Sequence, residues 1–138
     1  MKTNIPLATY SKRTLPLAYS LLPAGDAVEI SEDSAQLDLN ALVTGGREGF
    51  VAYAITGDSM LESIRPGDIV VVDTWREPKN GDIIVASVNG QNSIKVLEHN
   101  PHGLFLVPKN GEYKRREITY KDNFQVIGVV KWHLAPYG

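Results

Sequence analysis

The 138-residue chain has no cysteine, which excludes disulfide frameworks, thiolate metal sites and cysteine nucleophiles. Histidine is scarce as well: His99, His102 and His133 show no carboxylate pairing at a recognised metal spacing, so neither metal nor cofactor is expected. Basic residues do not predominate, 14 against 16 acidic ones, and the formal net charge is -2. A field of that sign does not draw a phosphate backbone, so direct nucleic-acid binding is not expected. The short groups Lys12-Arg13 and Lys114-Arg115-Arg116 read as solvated surface. No apolar run approaches the roughly 18 residues of a membrane span, and the N-terminal stretch lacks an apolar signal core with a basic flank. The sequence therefore reads as a soluble, cytoplasmic protein with no membrane association.

What is present divides into two parts. Residues 1–49 carry Pro6, Pro16, Pro23, Gly25, Gly45 and Gly46 with little sustained periodicity, and read as an extended N-terminal arm and connector. Within it, Leu15 to Leu22 is apolar enough to dock on something, and Leu37 to Val43 reads as a short turn of helix or a strand. From residue 50 to residue 138 the chain becomes a series of short β-branched runs punctuated by turns, the pattern of a mostly β domain. Strands are predicted at Phe50–Thr56, Asp68–Asp73, Asp82–Val88, Ser93–Glu98, Leu104–Val107 and Phe124–Trp132. Asn89-Gly90 between two of these runs predicts a tight hairpin, because a type I′ turn needs two residues that tolerate positive φ.

Two polar residues stand out against this background. Ser59, in Gly57-Asp58-Ser59-Met60, follows one predicted strand and precedes a stretch with room for a turn or two of helix before Pro66 and Gly67. A corner of this kind exposes a side chain and leaves backbone N–H groups free for a developing oxyanion. Ser59 with Glu62 is equally a capping box, whose role is to satisfy helix donors. Lys95 lies in the apolar run Ser93-Ile94-Lys95-Val96-Leu97, and alternation puts it on the face of Ser93 and Leu97. It reads either as an edge lysine or as a general base, the latter requiring burial to bring its pKa well below about 10.4. Ser93, two residues earlier on that face, is placed to orient the amine. No Gly-x-Ser-x-Gly elbow surrounds Ser59, and a histidine-based triad is not expected.

Taken in order, Gly57-Asp58-Ser59-Met60, Pro66-Gly67-Asp68 leading into Ile69-Val70-Val71-Val72-Asp73, Gly81-Asp82-Ile83-Ile84-Val85-Ala86 and Ser93-Ile94-Lys95-Val96-Leu97 resemble the self-cleaving peptidase domain of the LexA/UmuD family. The resemblance covers most of the chain and implies a core of short twisted sheets. It makes Ser59 the nucleophile and Lys95, 36 residues on, the general base, with the backbone amides of Asp58 and Ser59 as oxyanion donors. It implies cleavage of the chain's own Ala24-Gly25 bond, a small pair whose carbonyl a nucleophile can approach closely. It further implies a UmuD-like role in the SOS response. There a RecA filament stimulates cleavage, and the dimeric product serves as accessory subunit of a UmuC-like error-prone translesion DNA polymerase. Rival readings are a non-catalytic dimeric polymerase or filament accessory, a signal-peptidase-like enzyme, and a prophage repressor relative without its DNA-binding domain.

Overall fold

A computed structural model describes residues 15–18 and 34–137. Ala24, Gly25 and the Lys12-Arg13 pair lie outside the described residues. The chain divides into two compact units, Met1–Gly46 and Arg47–Gly138. Strand β1 (Leu15–Ala18) pairs antiparallel with β2 (Ser34–Leu37), and helix α1 (Leu39–Thr44) follows. Asp38 caps that helix by accepting from the amides of Asn40 and Ala41 at 3.0 and 3.3 Å, and Gly45 ends it in the left-handed conformation at φ 65°.

The second unit begins at Arg47, whose side chain is tied to the sheet. Its guanidinium meets the Asp73 carboxylate at 2.6 Å and lies over the rings of Phe50 and Trp75 at 4.5 and 4.8 Å. That pairing, before desolvation is counted against it, holds the Asp73 carboxyl below the usual carboxylate range. Seven strands form one antiparallel sheet: β3 (Phe50–Ala54), β4 (Ile69–Asp73), β5 (Ile83–Val88), β6 (Gln91–Asn100), β7 (Gly103–Val107), β8 (Arg116–Ile118) and β9 (Phe124–Leu134). Their spatial order is β3-β4-β9-β5-β6-β7-β8, so the last strand is inserted between β4 and β5.

All six predicted strands are present, with altered ends. β3 stops at Ala54 because the next residue leaves the ladder for a loop: Ile55 N donates to Asp68 O and Ile55 O accepts from Gly67 N, both at 2.8 Å. β8 was not anticipated. Its first residue, Arg116, comes from the cluster read as solvated surface and pairs with Asp122 at 2.9 Å, while Arg115 lies 4.2 Å over the Phe105 ring. Charge suits an edge strand, where it discourages pairing with other chains.

Apolar side chains cover the sheet on both faces. Alternation along β5 sends Val85 to a cluster with Ile55, Met60, Ile64, Val70 and Val72, and Ile84 and Ala86 to a second with Leu97, Leu106 and Val129. β9 carries two register shifts, opposite Val71/Val72 and opposite Val85/Ala86. Beside the second sits Gly128, where a Cβ would lie 2.5 Å from Val72 Cγ1 and 2.7 Å from the Asp73 carbonyl oxygen. Only glycine allows β9 to approach β4 so closely there.

Candidate active site

Lys95 owes its position to the hairpin. Asn89 and Gly90 adopt φ 51° and 84°, and Val88 pairs with Gln91 across a two-residue turn, as the Asn-Gly signal predicts. From that fixed start the register places Lys95 opposite Ile84. β7 pairs with β6 only from Val96 to Asn100, so among the described residues β7 does not extend alongside Lys95. There the Lys95 amine donates to the Ile94 carbonyl at 3.0 Å and to Ser59 Oγ at 2.9 Å. Burial, the cause of the shift, pushes the amine below its ordinary lysine value and favours the neutral form.

Ser59 reaches the amine from a segment that is neither helix nor strand. Leu61 N donates to Asp58 O at 3.1 Å, and Ser63 N and Ile64 N both donate to Met60 O at 3.0 Å, closing consecutive turns. The helix considered for residues 60–64 does not form. Pro66 disfavours helical backbone at Arg65, and the residues before it close turns instead. The hydroxyl therefore does not cap a helix; its partner is the Lys95 amine. Met60 and Ile64, both almost fully buried, root the segment in the core and leave Ser59 half-buried beside a cleft.

That cleft, about 260 Å³, is lined by Ser59 and Lys95 together with Tyr53, Ile55, Val85 and Ile94. Ser93 lines it too, but the amine's hydrogen bonds go to Ser59 and the Ile94 carbonyl, so the orienting contact expected of Ser93 is made by Ile94. The amides of Asp58 and Ser59 are not among the donors that close the turns, which are those of Leu61, Ser63 and Ile64.

Sequence reasoning did not find the groups behind the serine. Asn110, between β7 and β8, donates through its backbone N to Ser59 O and through Nδ2 to Asp58 O, both at 2.9 Å. The Tyr113 hydroxyl donates to the Asp58 carboxylate. His133 also has a distant partner: Nε2 meets Asp68 Oδ2 at 2.6 Å, and the same carboxylate oxygen accepts from Arg65 N at 2.9 Å. The Arg65 amide first, and His133 second, hold the Asp68 carboxyl below the usual carboxylate range. A turn signal at Asn110-Gly111 was visible in the sequence, but these contacts span 51 to 65 residues and left no local pattern.

A serine hydroxyl in contact with a half-buried lysine, on a β scaffold and beside a cleft of mixed polar and apolar lining, defines a class of candidate serine hydrolase without histidine. The family model described as Peptidase S24-like matches residues 16–131, and the chain belongs to this family of LexA/UmuD-type self-cleaving serine peptidases. Among curated relatives, protein SamA of Salmonella typhimurium is 34% identical over 121 residues, covering 85% of this chain and 82% of SamA. The LexA repressor of Syntrophotalea carbinolica is 31% identical over 132 residues, 94% of this chain and 64% of the repressor. That of Desulfatibacillum aliphaticivorans is 29% identical over 119 residues, 84% of this chain and 58% of the repressor. The chain thus spans most of SamA but less than two thirds of either LexA repressor. No helix among the described residues is long and apolar enough to cross a membrane.

Proposed function

We propose that this chain is a UmuD-like autoproteolytic switch of the SOS response that cuts itself between Ala24 and Gly25, with Ser59 as nucleophile and Lys95 as general base. The carrying observation is the 2.9 Å contact between Lys95 Nζ and Ser59 Oγ, made by an amine that burial inclines toward neutrality. Neutral Lys95 takes the hydroxyl proton as Oγ bonds to the Ala24 carbonyl carbon. The backbone amides of Asp58 and Ser59 receive the resulting oxyanion. As the intermediate collapses, the bond to the Gly25 nitrogen breaks, and protonated Lys95 returns its proton to that leaving amine. Water, activated by the again neutral lysine, then hydrolyses the acyl group from Ser59 and restores the enzyme.

In this reading residues 1–24 are removed, and the product beginning at Gly25 acts as a dimer with an error-prone polymerase. A RecA filament favours the conformation in which cleavage occurs. Similarity to SamA across most of both chains supports this branch of the family. Intact-mass analysis of the purified chain at neutral and alkaline pH tests the chemistry, because raising pH deprotonates the lysine without an activator. A fragment starting at Gly25, formed faster at high pH and absent from Ser59→Ala and Lys95→Ala, is the expected result. A chain left whole at both pH values and also with a RecA filament would falsify the peptidase reading and leave a non-catalytic accessory in its place.

A further inference from the structure

Asn110 holds both peptide planes that flank the candidate nucleophile. The bonds on either side of Ser59 are trans, so the Ser59 N–H points opposite to the Asp58 carbonyl in one rigid plane. Two donors, Leu61 N at 3.1 Å and Asn110 Nδ2 at 2.9 Å, fix that carbonyl and with it the direction of the Ser59 N–H. The next plane is held through the Ser59 carbonyl, which accepts from Asn110 N at 2.9 Å. With both planes set, the backbone angles of Ser59 are set, and so is the origin from which Oγ reaches the amine.

Asn110 is itself anchored. Its Oδ1 accepts from Glu112 N and its carbonyl from Tyr113 N, each at 3.1 Å, and the Tyr113 hydroxyl returns to the Asp58 carboxylate. The Asp58 hydrogen bond raises the phenol's pKa, which keeps it a donor. The loop bearing Asn110 leaves β7 just after Val107, and Val107 pairs with Val96, the residue following Lys95. One short path of backbone therefore connects the lysine strand to the serine.

We propose that Asn110 is a positioning residue that ties the Ser59 corner to the Lys95 strand, aiming the Ser59 amide and hydroxyl for the reaction without touching the substrate. The proposal rests on the peptidase reading given above. Asparagine suits the task because its side chain donates from one atom and accepts at another. Aspartate has the same shape, lacks the N–H and sets negative charge against the Asp58 carbonyl.

The test is the rate constant for self-cleavage of the full chain across a pH series, for wild type, Asn110→Ala and Asn110→Asp, with folding followed by circular dichroism. Misaiming the corner is expected to lower the high-pH plateau about 10- to 100-fold in both variants. The midpoint of the profile, set by Lys95, is expected to stay where it is in wild type. A purely structural role would instead loosen the site and move the midpoint up toward the ordinary lysine value. If Asn110→Ala does not fold, the isosteric Asn110→Asp carries the test. Variants that cut within twofold of wild type, or whose midpoint rises with the loss of rate, overturn the proposal alone. A wild-type chain that does not cut overturns the peptidase reading and this proposal with it.

Discussion

Lys95 stands on a strand whose register against β5 is counted from a two-residue turn, whereas Ser59 stands on consecutive turns that belong to no helix or strand. The lysine's backbone is placed by ladder hydrogen bonds that any sequence of the right alternation can form. The serine's backbone is placed by particular groups brought from elsewhere: Asn110, the Tyr113 hydroxyl and the buried side chains of Met60 and Ile64. Regular structure is tolerant of local substitution and sensitive to register. A corner held by side chains has the opposite character, since its register cannot slip but single residues can release it. A site combining the two joins a rigid base to a nucleophile whose aim depends on a few contacts.

The largest effect in this comparison is expected at the lysine itself. Lys95→Arg keeps a long cationic stem but cannot deprotonate, and self-cleavage should fall by about 10⁴-fold or more, read as the rate of appearance of the fragment. Lys95→Met should abolish cleavage and at the same time raise thermal stability at neutral pH. The folded pKa is lowered, so protonation favours the unfolded chain, and the gain should vanish as pH rises past the ordinary lysine value of 10.5.

Next in size is a blow to the ladder. Gly128→Ala forces a methyl onto Val72 and the Asp73 carbonyl and should cost about 1–3 kcal/mol in urea unfolding. Gly90→Ala places a Cβ at φ 84° in the hairpin turn and should cost about 1 kcal/mol by the same measurement. The smallest effect concerns the exit of the serine corner. The lowered pKa of Asp68 means its carboxylate stabilises the fold above the ordinary value of 3.8 and ceases to do so as pH falls through the folded value. Melting temperatures of wild type and Asp68→Asn should therefore differ at neutral pH and converge in acid. A constant gap would assign the effect to packing instead.

Legibility in the sequence follows the same division. The β strands were readable because β-branched runs and turn residues act locally, and Asn89-Gly90 marked the hairpin whose register in the structure puts Lys95 opposite Ile84. The placement of β9 between β4 and β5 was not readable, because long-range pairing order leaves no mark on a single strand. β8 was hidden because a three-residue edge strand beginning at Arg116 has too few residues to show a period and carries charge like a loop. At the site, Ser59 and Lys95 were named from their contexts and from a family resemblance, and the structure brings them together. Ser59-x-x-Glu62 shows the limit of local pattern: the spacing fits a capping box, yet the residues that follow close turns and form no helix to cap. Asn110 was beyond reach because both its contacts with the corner depend on where β7 lies.

The hairpin at Asn89-Gly90 has a consequence that can be put in terms of parity. Counting on from the turn, Leu97 of β6 packs in one apolar cluster, and Ile94 and Val96 pack against the other. A slip of one residue against β5 would exchange the two sets and put a different side chain opposite Ile84, where Lys95 stands. Two turn residues, neither of them in the lining of the cleft, therefore decide whether a base is present there.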